Sequence, residues 1–174
     1  MFASDYQFKG SHAEKVKTLV TVKFDKENTL FERNMDVFLL APIVGFLYQQ
    51  RADADKKSQS TTNILAEIMN KYKMELEFTF RLIMLLDDDY EKLFENRANK
   101  AFRDYGDKKN SPDLERYDSY VRGGVDVLYE KLCEPSKMPD DYIKNLYEFM
   151  EDFERRYGQT ASDDILKMCR QAKK

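Results

Sequence analysis

Few residues in this chain have types that commonly carry chemistry, and they are widely separated. His12 is the only histidine, and Cys133 and Cys169 are the only cysteines. A nucleophilic cysteine needs a positioned base and donors for the developing oxyanion, and no spacing here supplies them, so both cysteines read as ordinary helix residues and no catalytic residue is assigned. A zinc site would need about four Cys, His or carboxylate ligands in a close-spaced set. None is present, and the chain implies neither a metal nor another cofactor. The acidic run LLDDDYE, with Asp87, Asp88 and Asp89, offers clustered carboxylates of the kind a hard divalent cation accepts. It lacks the alternating acids and glycine of a calcium loop, and most simply supplies a helix end and a turn.

Two further groups could bind anions. In RGGVD, Arg122 precedes Gly123 and Gly124; glycine lets a backbone approach an anion, and arginine can hold a phosphate or carboxylate bidentately. A phosphate loop, however, follows a strand and carries a longer glycine pattern. These glycines sit in a helical pattern, where close helix packing or a helix break is the plainer account. Arg97, Lys100 and Arg103 could share a helical face that contacts nucleic acid, with Tyr90 or Tyr105 available to stack on bases. Glu95 and Asp104 interleave with them, which favours a solvated face laced with ion pairs. Smaller basic groups occur at Lys56 and Lys57, at Lys108 and Lys109, and in the tail with Lys167, Arg170, Lys173 and Lys174. The net charge of -3 comes from 29 basic and 32 acidic residues, so the whole molecule exerts no strong attraction on phosphate backbones.

The elements that position these residues are mostly helical. At 174 residues the chain suits one domain, residues 1–174, and its 42% hydrophobic and 35% charged content with only 6 Gly and 4 Pro favours helices. Residues 1–15 lack a sustained period and are expected to form a flexible tail or an edge element. In VKTLVTVKF, Val16, Val20, Val22 and Phe24 fall on one side at period two, predicting a short strand over 16–24. That strand would pair with Tyr6 to Phe8, with a second copy, or with a partner. The segment MDVFLLAPIVGFLYQQR predicts a helix over about 35–50, capped by Asn34, with Asp36 in its first turn. Its apolar run is roughly 12 residues, short of the roughly 20 that cross a bilayer, so it reads as a buried helix. Pro42 inside it predicts a kink near Phe38 to Pro42, or a break that makes Pro42 the first turn of a second helix.

Ser60, Thr61 or Thr62 is placed to cap the next helical pattern, formed by Ile64, Leu65, Ile68, Met69 and Tyr72 and then Leu76, Phe80, Ile83 and Leu86, as one long helix or two in series. A further amphipathic stretch, with Tyr90, Leu93, Phe94, Ala98, Ala101 and Phe102, is expected to end at Gly106. Pro112 opens a helix whose Tyr117, Tyr120, Val121, Val125, Leu128 and Leu132 line one side, and Pro139 opens another with Tyr142, Leu146, Phe149, Met150 and Phe153 facing inward. Ser162, Asp163 and Asp164 are placed to cap a last short helix through Ile165, Leu166 and Met168. The expected fold is mainly α: a single-domain bundle of five to seven helices with a short N-terminal β element.

MDVFLLAPIVGFLYQQR, EFTFRLIMLLDDDYE, NKAFRDYG and SYVRGGVDVLYEKL together resemble small helical proteins encoded beside bacterial DNA-phosphorothioation (Dnd) genes and other restriction-type defence loci. The resemblance spans about two thirds of the chain. It implies a non-catalytic accessory protein of the cytoplasm that serves a DNA-modification or defence complex, and it transfers no catalytic residue. Pro42 departs from the uninterrupted apolar helix more usual in such sequences. With 11 Tyr and 12 Phe, more aromatics than a core of this size needs, the chain is expected to act through protein contacts. A homodimer through the lone strand or an exposed aromatic face is one form of this, and a nucleic-acid-binding module is the alternative.

Overall fold

The computed structural model describes residues 2–55, 58–104 and 112–158. The expectations for Lys56, Lys57, Tyr105, Gly106, Lys108, Lys109, Cys169 and the C-terminal helix and basic tail lie outside the described residues. Two strands and seven helices follow in the order β1 Tyr6–Lys9, α1 Gly10–Thr21, α2 Asn34–Leu47, β2 Thr61–Ile64, α3 Ala66–Lys71, α4 Lys73–Leu86, α5 Phe94–Phe102, α6 Pro112–Leu132 and α7 Pro139–Phe153. A π-helical turn, Glu154–Gly158, extends α7. The fold is mainly α with a short two-stranded element near the N-terminus, as the composition and periodicity require.

The segment expected as a strand at 16–24 is instead helical as far as Thr21. Its valines satisfy either period: Val16, Val20 and Val22 alternate, but His12, Ala13, Val16 and Leu19 recur at three to four residues and are the ones buried. Only the end of the segment is extended, where Lys23 forms an isolated antiparallel bridge with Thr29. Gly10 begins α1 at φ +61°, in the left-handed region that glycine enters without strain, and turns the chain out of β1. The edge element expected within 1–15 is present as β1, but its antiparallel partner is β2, with Tyr6 opposite Ile64 and Lys9 opposite Thr61.

The Ser60 to Thr62 segment is therefore a strand end and not a helix cap. The first free amide of α3, that of Ala66, is bound instead by Asp5 Oδ1 at 2.7 Å, a cap supplied from 61 residues away. The cap position of α2 is Arg33, one residue before the expected Asn34. Asp36 Oδ2 accepts from the Arg33 amide at 3.0 Å, and Asn34 uses its side-chain amide to donate to Thr62 Oγ1 and the Asn63 carbonyl, fastening α2 to β2. Pro42 stands inside one uninterrupted helix, which excludes the break. The helix stops at Leu47, three residues early, and Gln49 takes a left-handed φ of +56° while the Gln50 amide reaches back to the Gly45 carbonyl at 2.8 Å.

The core lies between α2 and α6, whose contact is the most extensive among the described residues. Val37, Phe38, Ala41 and Val44 of α2 meet Tyr117, Val121, Val125 and Leu128 of α6, with Phe8, Leu19, Phe80 and Ile83 closing the remaining sides. The helical pattern expected from Ile64 begins later, since Ile64 ends β2; from Ala66 to Leu86 it resolves as two helices in series, α3 and α4, joined at Tyr72. α7 packs more lightly. Tyr142, Leu146, Phe149 and Phe153 are half-buried as the spacing requires, but no α7 residue is fully buried, and Met150, expected inward, is exposed. Among the described residues, no helix is long and apolar enough to cross a membrane.

Candidate functional site

The glycine pair of α6 is a packing device. A Cβ on Gly124 would overlap the Ala41 carbonyl of α2, and one on Gly45 would overlap the Tyr120 carbonyl of α6. Without Cβ atoms, α2 and α6 meet backbone to backbone. Gly123 serves the chain that leaves α2, because a Cβ there would strike the Gln50 carbonyl. That segment is held along α6 by the Ala52 amide donating to the Ser119 carbonyl at 3.0 Å and by Arg122 Nε donating to the Ala52 carbonyl at 2.8 Å. Arg122, which is buried, also pairs with Glu115 through Nη2. These contacts make Arg122 a clamp between α6 and the post-α2 segment.

The basic face proposed on α5 is similarly committed to the protein. Arg97 donates to the carbonyls of Leu85, Glu91 and Lys92 at 2.8, 2.8 and 3.0 Å, closing the α4–α5 turn. Lys100 Nζ lies 2.7 Å from Asp113 Oδ1 and 5.0 Å from the centre of the Tyr90 ring, so Tyr90 is also engaged. Tyr90 donates its hydroxyl to the same Asp113 oxygen at 2.7 Å, and burial, with the neighbouring carboxylate adding to it, keeps this phenol protonated far above its ordinary range. Arg103 is the exposed cation of the set, at the C-terminal end of α5. The structure thus does not gather Arg97, Lys100, Arg103 and Arg122 into one free basic surface.

The acidic run divides sharply. Asp88 and Asp89 are exposed, whereas Asp87 is only 3% exposed and holds a buried junction. Arg116 of α6 binds it with Nε at 2.7 Å from Oδ2 and Nη2 at 2.9 Å from Oδ1. The Tyr120 hydroxyl donates to Oδ2 at 3.0 Å, and the Tyr90 amide to Oδ1 at 3.1 Å. Burial pushes the Asp87 carboxyl above the usual carboxylate range, opposed by the hydrogen bonds from Tyr120 and Tyr90. The Arg116 guanidinium lies 5.2 Å from the Tyr90 ring centre and 5.1 Å from that of Tyr120. Four donors leave this carboxylate no room to bind a metal, and no cluster of three or more His, Cys, Asp or Glu among the described residues is arranged to hold one.

The remaining chemistry-bearing residues are apart from one another. Cys133 is a buried free thiol at the end of α6, and burial pushes its pKa up to about 11, the reverse of an activated nucleophile. His12 directs Nε2 at Asp126 Oδ1 from 3.4 Å, and Lys15 Nζ approaches the same oxygen at 2.7 Å, joining α1 to α6. Burial alone would raise the Asp126 carboxyl, but the bonds from His12 and Lys15 outweigh it and hold it below its usual range.

A different feature is presented outward. Met74, Phe78, Leu82 and Leu86 follow one another at four-residue intervals along α4, all exposed, Met74 by 83% and Phe78 by 67%. The opposite side of the same helix buries Leu76, Phe80, Ile83 and Met84. α4 is consequently apolar on two sides, and only one side meets the core. Leu93, Phe94 and Phe102, expected inward, are also exposed on the neighbouring α5 and its approach. The helical period detects such residues as apolar but cannot say which apolar face lacks a neighbour; the signal available in the sequence was the near-continuous apolarity of EFTFRLIMLL. Comparisons of the chain with protein-family models, curated proteins and solved structures find no match.

Proposed function

We propose that the chain is a non-catalytic accessory protein that works by holding another protein against the outer side of α4. The observation that carries this reading is the exposed ridge Met74, Phe78, Leu82 and Leu86 on a helix whose opposite face already fills the core. Contiguous exposed apolar surface on a folded monomer marks a contact site, and aromatic side chains at its centre concentrate binding energy. Lys73, Glu77 and Arg81, paired with one another on α4, flank the ridge, whose apolar positions suit the apolar face of a partner helix laid along it. The resemblance to proteins encoded beside DNA-phosphorothioation genes supplies the context: a bacterial DNA-modification or defence complex. Direct nucleic-acid binding is the weaker alternative, because Arg97, Lys100 and Arg122 spend their donors on protein acceptors.

Affinity purification from the native host, with the partner identified by mass spectrometry, tests the proposal. A stoichiometric partner is expected, encoded with the DNA-modification genes, and Phe78→Ser should lose it. Retention of the partner by the variant would rule out this face, and the lack of any stoichiometric protein would rule out the reading.

A further inference from the structure

The outer side of α4 carries a charge pattern as well as an apolar one. Lys71, the last residue of α3, and Lys73, the first of α4, stand at one end, and Asp88 and Asp89 lie just beyond the other, all four exposed. Between them run Met74, Phe78, Leu82 and Leu86, a row at four-residue spacing of the kind by which two helices interdigitate. Glu77 and Arg81 border the row near its middle, 3.4 Å apart. Along the row the charge passes from basic to acidic.

Such a row is complementary to itself when turned end for end. A two-fold axis through its midpoint lays Met74 against the partner's Leu86 and Phe78 against the partner's Leu82. It brings Lys71 and Lys73 toward the partner's Asp88 and Asp89, and symmetry repeats the match at the opposite end. The same axis sets Glu77 beside the partner's Arg81, which extends the pair within each helix into a four-membered network. Parallel pairing would instead set lysines against lysines and aspartates against aspartates, and like charges brought together oppose association.

The apolar surface is large enough for this use. Arg97 Nε binds the Leu85 carbonyl, and the Phe94 ring centre is 5.8 Å from the same guanidinium, so Leu93 and Phe94 continue the patch at its acidic end. They are 65% and 64% exposed. At roughly 200 Å² for a large side chain, these six residues expose roughly 700 Å², close to the roughly 800 Å² that each partner contributes to a standard interface.

We infer that in the isolated protein a second copy of the chain covers the α4 ridge, the two α4 helices packed antiparallel about a two-fold axis. This rests on the reading of the ridge as a contact face, and it names what any other partner must displace.

Sedimentation equilibrium of the full 20.7 kDa chain tests it. Twice the monomer mass is expected at about 100 μM, with reversible dissociation on dilution, since interfaces of this size reach micromolar affinity or better. Phe78→Ser should weaken the dimer at least about thirtyfold. K71E/K73E should weaken it too, and adding D88K/D89K should restore it, because antiparallel pairing sets one pair of ends against the other. Urea melts show whether each variant is folded; should the quadruple variant not fold, Phe78→Ser and K71E/K73E decide. A monomer at every concentration would leave the ridge to a different protein or to residues 159–174 of the same chain, and would overturn the dimer. So would a dimer that Phe78→Ser or K71E/K73E leaves intact. A monomer that still captures another protein through Phe78 refutes the dimer alone, whereas a dimer from a host that yields no other partner refutes the accessory reading alone.

Discussion

The α2–α6 contact and the outer side of α4 are made of similar apolar residues, yet one is the most extensive contact among the described residues and the other meets solvent. The difference is backbone access. α2 and α6 carry Gly45, Ala41 and Gly124 where they cross, so main chain meets main chain and the larger residues on both sides interlock. α4 presents Met74, Phe78, Leu82 and Leu86, long side chains with no opposing surface among the described residues. Apolar content therefore does not separate core from contact surface; the presence of small residues at a crossing does.

The contrast is broken most severely at the junction that ties α4 to α6. Asp87→Ala removes the carboxylate that accepts from Arg116, Tyr120 and Tyr90, and leaves the Arg116 guanidinium, largely buried, without its counter-charge. Losing one member of such a pair costs about 3–5 kcal/mol, and the urea midpoint should fall accordingly. Asp88→Ala, on an exposed residue next to it, should change the unfolding free energy by less than about 0.5 kcal/mol. An equal response from the two would remove the distinction drawn between them.

Next in size is Gly124→Ala. Its methyl would occupy the space of the Ala41 carbonyl, and helix backbone cannot yield as a side chain end can. The variant should lose about 1–3 kcal/mol even though alanine is the better helix former by about 1 kcal/mol. A gain in stability would show that α2 and α6 do not touch through their backbones.

Asp118→Asn should act in the opposite direction and only above mildly acidic pH. Burial, eased by Arg122 and worsened by Glu115, raises this carboxyl to about 7, against about 3.9 in an unfolded chain. Between those values the folded protein holds more protons than the unfolded one, so wild-type stability falls as pH rises through the window. Asparagine removes that slope. The variant should exceed the wild type by about 1–3 kcal/mol at pH 8, with the two converging near pH 4, in denaturant melts at both values.

These regions were unequally legible in the sequence. α6 was plain, because Tyr117, Tyr120, Val121, Val125, Leu128 and Leu132 hold one face and are all buried, and its glycines could already be read as packing. Their counterpart Gly45 became explicable only once α2 was seen to cross there. α1 was hidden because its valines satisfy two periods at once, and β2 because Thr61, Thr62 and Asn63 are polar residues of a short, mostly exposed strand. Asp87 looked like a helix end, which it is, but its partner Arg116 is 29 residues away, and no local pattern encodes that distance.

The smallest effect on stability should come from the ridge itself, and that smallness is what makes it informative. Phe78 is exposed, so Phe78→Ser removes little buried area and should shift the unfolding free energy by no more than about 0.5 kcal/mol. In the proposed complex the same ring would be desolvated at the centre of the contact, where truncation of an aromatic anchor costs about 2 kcal/mol or more, a loss of affinity beyond roughly thirtyfold. Tyr147 of α7 provides the comparison. It is exposed to a similar degree, and its truncation to serine should also leave folding unchanged, but its row of exposed apolar residues, Ile143, Tyr147 and Met150, is one shorter than that of α4 and lies on a helix with no fully buried residue. Partner binding should therefore survive Tyr147→Ser and fail with Phe78→Ser. The reverse pattern would move the docking surface from α4 to α7.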